Sequence, residues 1–155
     1  MSMRSAILST SSIIPDLAWL EILLSVGRDN DIMAYAIIDT SSILFGFSYR
    51  KDAFAIAERA FSGLEPLVSR GTLRELEKAS SNRGAKGAAA RVALSILKLK
   101  KIRVDTNTGN VDSWIIRKAA SMPGTVVVTN DTELLMKLKS LGVRTAKLSK
   151  SGKLR

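Results

Sequence analysis

From Ala34 onward the chain alternates short apolar runs rich in β-branched residues with longer stretches whose apolar positions recur at helical spacing. The runs are Tyr35 to Asp39, Pro66 to Ser69, Lys101 to Asp105, Thr125 to Thr129 and Val143 to Leu148. Near-continuous apolar runs of this kind predict strands covered on both faces. Between them the spacing predicts helices over Asp52–Phe61, Thr72–Ser80, Ala85–Lys100, Asp112–Ala120 and Thr132–Leu141. The order β-α-β-α-α-β-α-β-α-β predicts an α/β fold of three layers, α/β/α, around a central parallel sheet of about five strands. On the stretch Ala85–Lys100, Val92, Ile96 and Leu99 form one apolar face, and Lys86, Arg91, Lys98 and Lys101 fall on an opposed arc. Leu94 and Leu97 sit within that basic arc and predict a second buried contact, either a homodimer seam or a further packing surface inside the monomer.

The first 33 residues read differently. Ala6 to Val26 is apolar-rich, but Pro15, Asp16 and Glu21 interrupt it. Each charge at a bilayer centre costs roughly 2.5–3.5 kcal/mol, so no membrane-spanning helix is expected. Arg4 is the only base ahead of the run, which also argues against a signal peptide. Pro15 to Val26 reads instead as a short amphipathic helix, with Pro15 near its start and Gly27 after its end. Residues 1–33 are therefore an N-terminal extension, 34–149 the main domain, and 150–155 a basic C-terminal tail. Met33 directly precedes the first strand, so a start at that residue is an alternative reading of the extension.

Composition narrows the chemistry. The 155 residues contain no Cys and no His, which removes thiolate and imidazole zinc sites, Cys nucleophiles and His acid/base catalysis. Absent disulfides fit a reducing, cytoplasmic setting. Lys and Arg number 24 against 14 acids, a net +10 with pI near 10.2, which points to a polyanionic partner. The excess is uneven: residues 1–33 carry two bases and four acids, whereas from Lys137 onward there are seven bases and no acid. Aromatics make up only 5% of the chain, so stacking on bases is not the evident source of specificity. Trp19 and Trp114 read as core or interface residues.

Within this basic chain, acids stand where ligands bind in parallel sheets, beyond the carboxyl ends of strands. Asp39 closes the first strand and Asp131 follows the fourth; Asp112 opens the preceding helix and Glu75 lies on the first turn after the second strand. Three of the four have ordinary structural readings. Thr72 with Glu75 has the spacing of a capping box, Asn130 with Glu133 is a similar pattern, and Asp112 or Asp131 suits an N-cap. Asp39 does not: an acid ending an apolar strand, with no base nearby in sequence, needs solvent, backbone donors or a cation. Four acids buried together would raise one another's pKa, and a hard divalent ion relieves that repulsion. Carboxylates holding a metal inside a body that attracts a phosphate backbone describe a nuclease. An aspartyl-phosphate reading fails because no acid follows Asp39 two residues on, and no G-x-x-x-x-G-K-[ST] phosphate loop occurs.

The segments carrying these acids resemble the PIN-domain ribonucleases: I-I-D-T-S-S-I-L at Ile37–Leu44, L-R-E-L-E-K at Leu73–Lys78, Val111-Asp112 before an apolar helix, and T-N-D-T-E-L at Thr129–Leu134. The stretch Arg83–Leu94 is further similar to an archaeal branch related to the eukaryotic small-subunit rRNA-processing PIN nuclease, a branch also described as VapC-like. The resemblance implies a PIN-like fold in which Asp39, Glu75, Asp112 and Asp131 hold Mg2+ or Mn2+, with Thr40, Ser41, Thr129 and Asn130 as orienting neighbours. It implies hydrolysis of RNA phosphodiesters by water, leaving a 5′-phosphate and a 3′-hydroxyl. Arg83, Lys86, Arg91, Lys98, Lys101, Lys137 and Lys139 would grip RNA phosphates. Pre-rRNA is one implied substrate, and an antitoxin is the implied partner of a VapC-like toxin. The chain departs from the branch at the third acidic position, where two adjacent acids are common but Val111 and Ser113 flank Asp112. The alternative reading is a catalytically weak or inactive RNA- or pre-ribosome-binding PIN module.

Overall fold

The computed structural model describes residues 34–106 and 109–155. The expected helix Pro15–Val26 and Trp19 lie outside the described residues. The elements run β1 (Tyr35–Ile38), α1 (Thr40–Ser48), α2 (Ala53–Ala60), β2 (Glu65–Ser69), α3 (Arg70–Ser80), α4 (Ala85–Leu99), β3 (Arg103–Asp105), α5 (Val111–Ser121), β4 (Val126–Val128), α6 (Thr132–Ser140) and β5 (Arg144–Ala146). The strands form one parallel sheet in the order β3-β2-β1-β4-β5. Among the described residues no helix is long and apolar enough to cross a membrane.

Side-chain alternation divides each strand between two cores. Ile38, Val68, Val126 and Val128 join Ile43 of α1, Phe54 of α2, Leu76 of α3 and Leu97 of α4 on one side. Tyr35, Ile37, Leu67 and Val127 join Trp114 of α5 and Leu134 and Leu138 of α6 on the other. Both strand faces are thus covered, which is why the strand sequences read as continuous apolar runs. The chain winds outward from β1 to β2 and β3, then returns to place β4 on the opposite side of β1. This reversal makes β1/β4 the topological switch point, where strand ends open into a crevice.

Three expectations need correction. The spacing does not predict helix α1, because Thr40–Ser48 is rich in Ser, β-branched and aromatic residues, all modest helix formers. Burial holds it: Thr40, Ser42, Ile43 and Gly46 face inward. A Cβ on Gly46 would stand 2.9 Å from both Leu148 Cδ2 and the Lys51 carbonyl, so this helix face has no room for a side chain. On α4 the inward face is Gly87, Ala89, Ala90, Ala93 and Leu97, whereas Val92 and Leu99 are exposed. Close packing of α4 on its neighbours selects small residues over the larger apolar ones. Leu97 belongs to the monomer core and Leu94 packs against that core, so of the two readings offered for these leucines the packing surface inside the monomer is the one found. Finally, residues 150–155 are not a loose tail. Lys147 and Arg155 exchange backbone hydrogen bonds of 2.9 Å, Leu148 bridges Leu154, and Leu154 packs on the core.

Candidate functional site

The site begins where β1 runs out. The Asp39 N–H donates to the Val128 carbonyl at 2.9 Å, so the end of β1 lies against the end of β4. Asp39 occupies the N-cap position of α1, yet its side chain caps nothing. Its Oδ2 instead accepts from Ser41 Oγ at 2.7 Å and Thr129 Oγ1 at 2.9 Å. Both hydroxyls are themselves held: Ser41 Oγ accepts from the Asn130 N–H at 3.0 Å, and Thr129 Oγ1 from the Asp131 N–H at 3.1 Å. Backbone donors of the β4–α6 connection therefore fix two hydroxyls that orient one carboxylate oxygen. Asp39 is 5% exposed, and no base lies within ion-pair distance of it among the described residues. Its Oδ1 receives no side-chain hydrogen bond there. A carboxylate so buried needs hydrogen-bond donors or a cation to offset its desolvation.

Three further acids face the same crevice. Glu75, on the second turn of α3, accepts a hydrogen bond from Thr40 Oγ1 at 3.0 Å. Thr72 and Glu75 do not form the expected capping box, since Ser69 caps α3 by accepting from the Thr72 N–H at 2.9 Å. Asp112 lies in the first turn of α5, whose cap is Asn110. Asp131 is the N-cap of α6, its Oδ1 accepting from the Glu133 and Leu134 N–H groups at 2.9 and 3.1 Å. Burial pushes the Glu75 pKa up, the Thr40 hydrogen bond opposes this, and the charges of Asp39 and Asp112 raise it further. Asp112 is raised by burial, then by Asp39 and Asp131, with Lys137 opposing and Glu133 adding. Asp39 and Asp112 thus act on Glu75, and Asp39 and Asp131 on Asp112, as like charges. Glu133 points outward to Lys137 at 3.5 Å, but its charge still reaches Asp112.

This mutual repulsion has a measurable consequence. A carboxyl whose pKa is higher folded than unfolded costs nothing below its unfolded pKa and its full cost above its folded pKa. The chain in EDTA should therefore lose stability as pH rises from the ordinary carboxylate range through the raised values of Glu75 and Asp112. The Tm difference from the variant Glu75→Gln/Asp112→Asn should widen over that window; a constant difference would show that these acids do not strain the fold.

The strand-end acid Asp105 is committed elsewhere, accepting from Trp114 Nε1 at 3.3 Å and pairing with Lys118 at 3.3 Å. Asn130, expected to orient the acids, mainly fastens the fold. Its Nδ2 donates to the Leu148 carbonyl at 2.8 Å, and its Oδ1 accepts from the Leu148 N–H at 3.1 Å and Ser42 Oγ at 2.7 Å. Asn130→Ala should cost about 1–3 kcal/mol by orphaning these groups, with faster hydrogen exchange confined to Lys147–Arg155. Uniform acceleration across the sheet would contradict that local role.

The expected cations are scattered. Lys86, in the first turn of α4, lines a cavity that also contains Thr40 and Glu75. Arg83 is exposed on the α3–α4 turn. Arg91 donates to the carbonyls of Ser80 at 2.7 Å and Asn82 at 3.3 Å, bracing that turn. Lys98 and Lys101 lie at the opposite end of α4, roughly 20 Å from Lys86 at 1.5 Å per residue. Lys137 stands near Asp112, and Lys139 is exposed on the last turn of α6. Sequence reasoning misses Lys78, although it follows Glu75 by three residues on a helix and so shares its face.

The profile of the family described as PIN like domain matches residues 36–151. The chain belongs to this family. Ribonuclease VapC9 of Archaeoglobus fulgidus is 34% identical over 119 residues, covering 76% of this chain and 84% of the relative. The solved structure of the PIN domain endonuclease Utp24 aligns with a TM-score of 0.60 at 24% identity, covering 74% of this chain and 85% of that one. This second likeness shows that the PIN-like chain has a PIN fold, the expected α/β/α arrangement around a parallel sheet. Its crevice offers only oxygen donors, with one buried carboxylate oxygen free of side-chain hydrogen bonds, a set that suits a hard divalent cation.

Proposed function

We propose that this PIN-like chain is an endoribonuclease that hydrolyses RNA phosphodiesters with the help of Mg2+ or Mn2+, held by Asp39, Glu75, Asp112 and Asp131. The observation that carries the reading is Asp39, a buried carboxylate oriented by Ser41 and Thr129 with no Lys or Arg paired to it among the described residues, in a chain of net charge +10. The family and the 34% identity to a protein named as a ribonuclease support it. A divalent ion in this crevice would supply Lewis-acid stabilisation of the phosphate and activation of the attacking water.

The chain's own residues have distinct tasks. Ser41 and Thr129 hold Asp39 through Oδ2, and its Oδ1, without a side-chain hydrogen bond among the described residues, would be available to a cation. Thr40 steadies Glu75 through Oε1 and leaves Oε2. The N-cap bonds of Asp131 use Oδ1 and leave Oδ2. The basic body draws the polyanion towards the crevice.

A second reading, an RNA-binding module without cleavage, is favoured by one observation: among the described residues no three acids close into a ready-made metal ligand set. An Mg2+ ion that keeps several waters needs only one or two direct carboxylates, which reconciles the open cluster with activity. Incubating a mixed structured RNA with the chain in EDTA, Mg2+ or Mn2+ separates the readings. Cutting that needs the ion and leaves 5′-phosphate ends is the expected result; binding without cutting under any ion would establish the module. Processing of a ribosomal RNA precursor in the cytoplasm and a VapC-like toxin role share this chemistry and differ in partner. Neutralisation by an antitoxin is expected only of the toxin.

A further inference from the structure

Beside the acids lies a feature that the hydrolytic reaction does not itself require. A cavity of about 430 Å³ opens between α1, α3 and the start of α4. Thr40 and Glu75 form its wall towards the acidic crevice, Lys78 and Lys86 line it together with Asn82, and Leu44 contributes an apolar patch. The cavity therefore runs from the Glu75 carboxylate to two ammonium groups across one small space. Neither lysine has an ion-pair partner among the described residues. Its volume falls within the range of small-molecule sites, roughly 300–1,000 Å³, which accommodates a nucleotide rather than only a bare ion.

The wall that carries Lys86 is built to stay in place. Gly84 enters α4 with φ +90°, a conformation that favours glycine. Gly87 leaves no room for a Cβ against the Asn82 carbonyl, and Arg91 holds the Ser80 and Asn82 carbonyls from the next turn of α4. The α3–α4 turn is thus tied to the helix that presents Lys86, while Lys78 sits one turn beyond Glu75 on α3.

We propose that this cavity is a nucleotide subsite adjoining the hydrolytic centre, in which Lys78 and Lys86 bind the RNA phosphate next to the one being cleaved. The proposal rests on the ribonuclease reading for its substrate. The lysines supply charge without base-edge geometry, so the subsite fixes strand position and carries no sequence preference. It also ties α3 to both events, because Glu75 faces the cation and Lys78 the neighbouring phosphate.

The test is binding of a single-stranded RNA oligonucleotide to the full chain in EDTA, where cleavage cannot intervene, across 50–200 mM salt. Lys78→Ala/Lys86→Ala is compared with Arg59→Ala/Arg117→Ala, which removes equal charge from exposed positions outside the cavity. The lysine pair should weaken binding about tenfold more than the control and lower the slope of log K against log salt by about 0.7 for each phosphate no longer neutralised. Lys78→Arg/Lys86→Arg should restore most of the affinity. Equal weakening by both alanine pairs, or no RNA binding by the unaltered chain, would overturn the subsite. Binding that depends on the lysines without cleavage in Mn2+ would overturn the ribonuclease reading and leave the cavity as a phosphate-binding site with no cleaved phosphate beside it.

Discussion

Replacing Asp39 by Asn is expected to lower metal-dependent RNA cleavage by about 10³-fold while leaving the protein folded, because several kcal/mol of charge stabilisation are removed and each 1.36 kcal/mol is tenfold in rate. Asp39 is the acid whose charge reaches both Glu75 and Asp112. Its removal lowers the pKa of both neighbours and relieves repulsion in the chain without a cation. The variant should therefore melt at higher temperature than the parent in EDTA, and the order should reverse in saturating Mn2+. Loss of cleavage together with a lower Tm under both conditions would mean that Asp39 serves the fold instead. The amide retains an oxygen that can accept from Ser41 and Thr129, so the hydrogen-bond frame alone does not predict collapse.

The largest stability effect should come from Phe54→Ala. Phe54 is 0% exposed and lies among the largest fully buried side chains. Its ring sits 5.9 Å from that of Phe47, coupling α2 to the end of α1. Truncating a buried Phe costs about 3–5 kcal/mol through lost transfer energy and the cavity left behind. For a domain of this size that is a fall of about 10–20 °C in Tm. Cleavage per folded molecule should remain near the parent value below the transition, since α1 meets the acids at its other end, through Thr40 and Ser41. Denaturant unfolding checks the first statement, and activity normalised to the folded fraction checks the second.

Much of this architecture is written in short range. Runs such as Thr125–Thr129 are apolar on both faces because each strand is covered twice, so their type is evident without tertiary information. The acids are equally legible: Asp39 ends such a run with nothing nearby to neutralise it. What sequence spacing misses depends on packing. Helix α1 has modest propensity and exists because Ile43 and Gly46 are pressed into the core and beneath the final hairpin. The inward face of α4 is small because α3 and α1 approach closely, whereas spacing favours the larger Val92 and Leu99. The basic arc on α4 is real as a pattern, yet the helix spans the domain and brings only its first turn to the acids. Asn130 has the sequence position of a neighbour to the proposed cation ligand Asp131 but fastens Leu148, across 18 positions of chain.

The central claim is that four acids in the switch-point crevice form a cation site, and direct binding tests it best. Titrating Mn2+ into the metal-free chain, followed by calorimetry or by the paramagnetic signal of the free ion, should give saturable binding. Asp39→Asn and Asp112→Asn should each weaken it about tenfold or more, in line with the loss of a ligand or of its orientation. Saturable Mn2+ binding of equal strength in the parent and both variants, or none in the parent, would contradict the account.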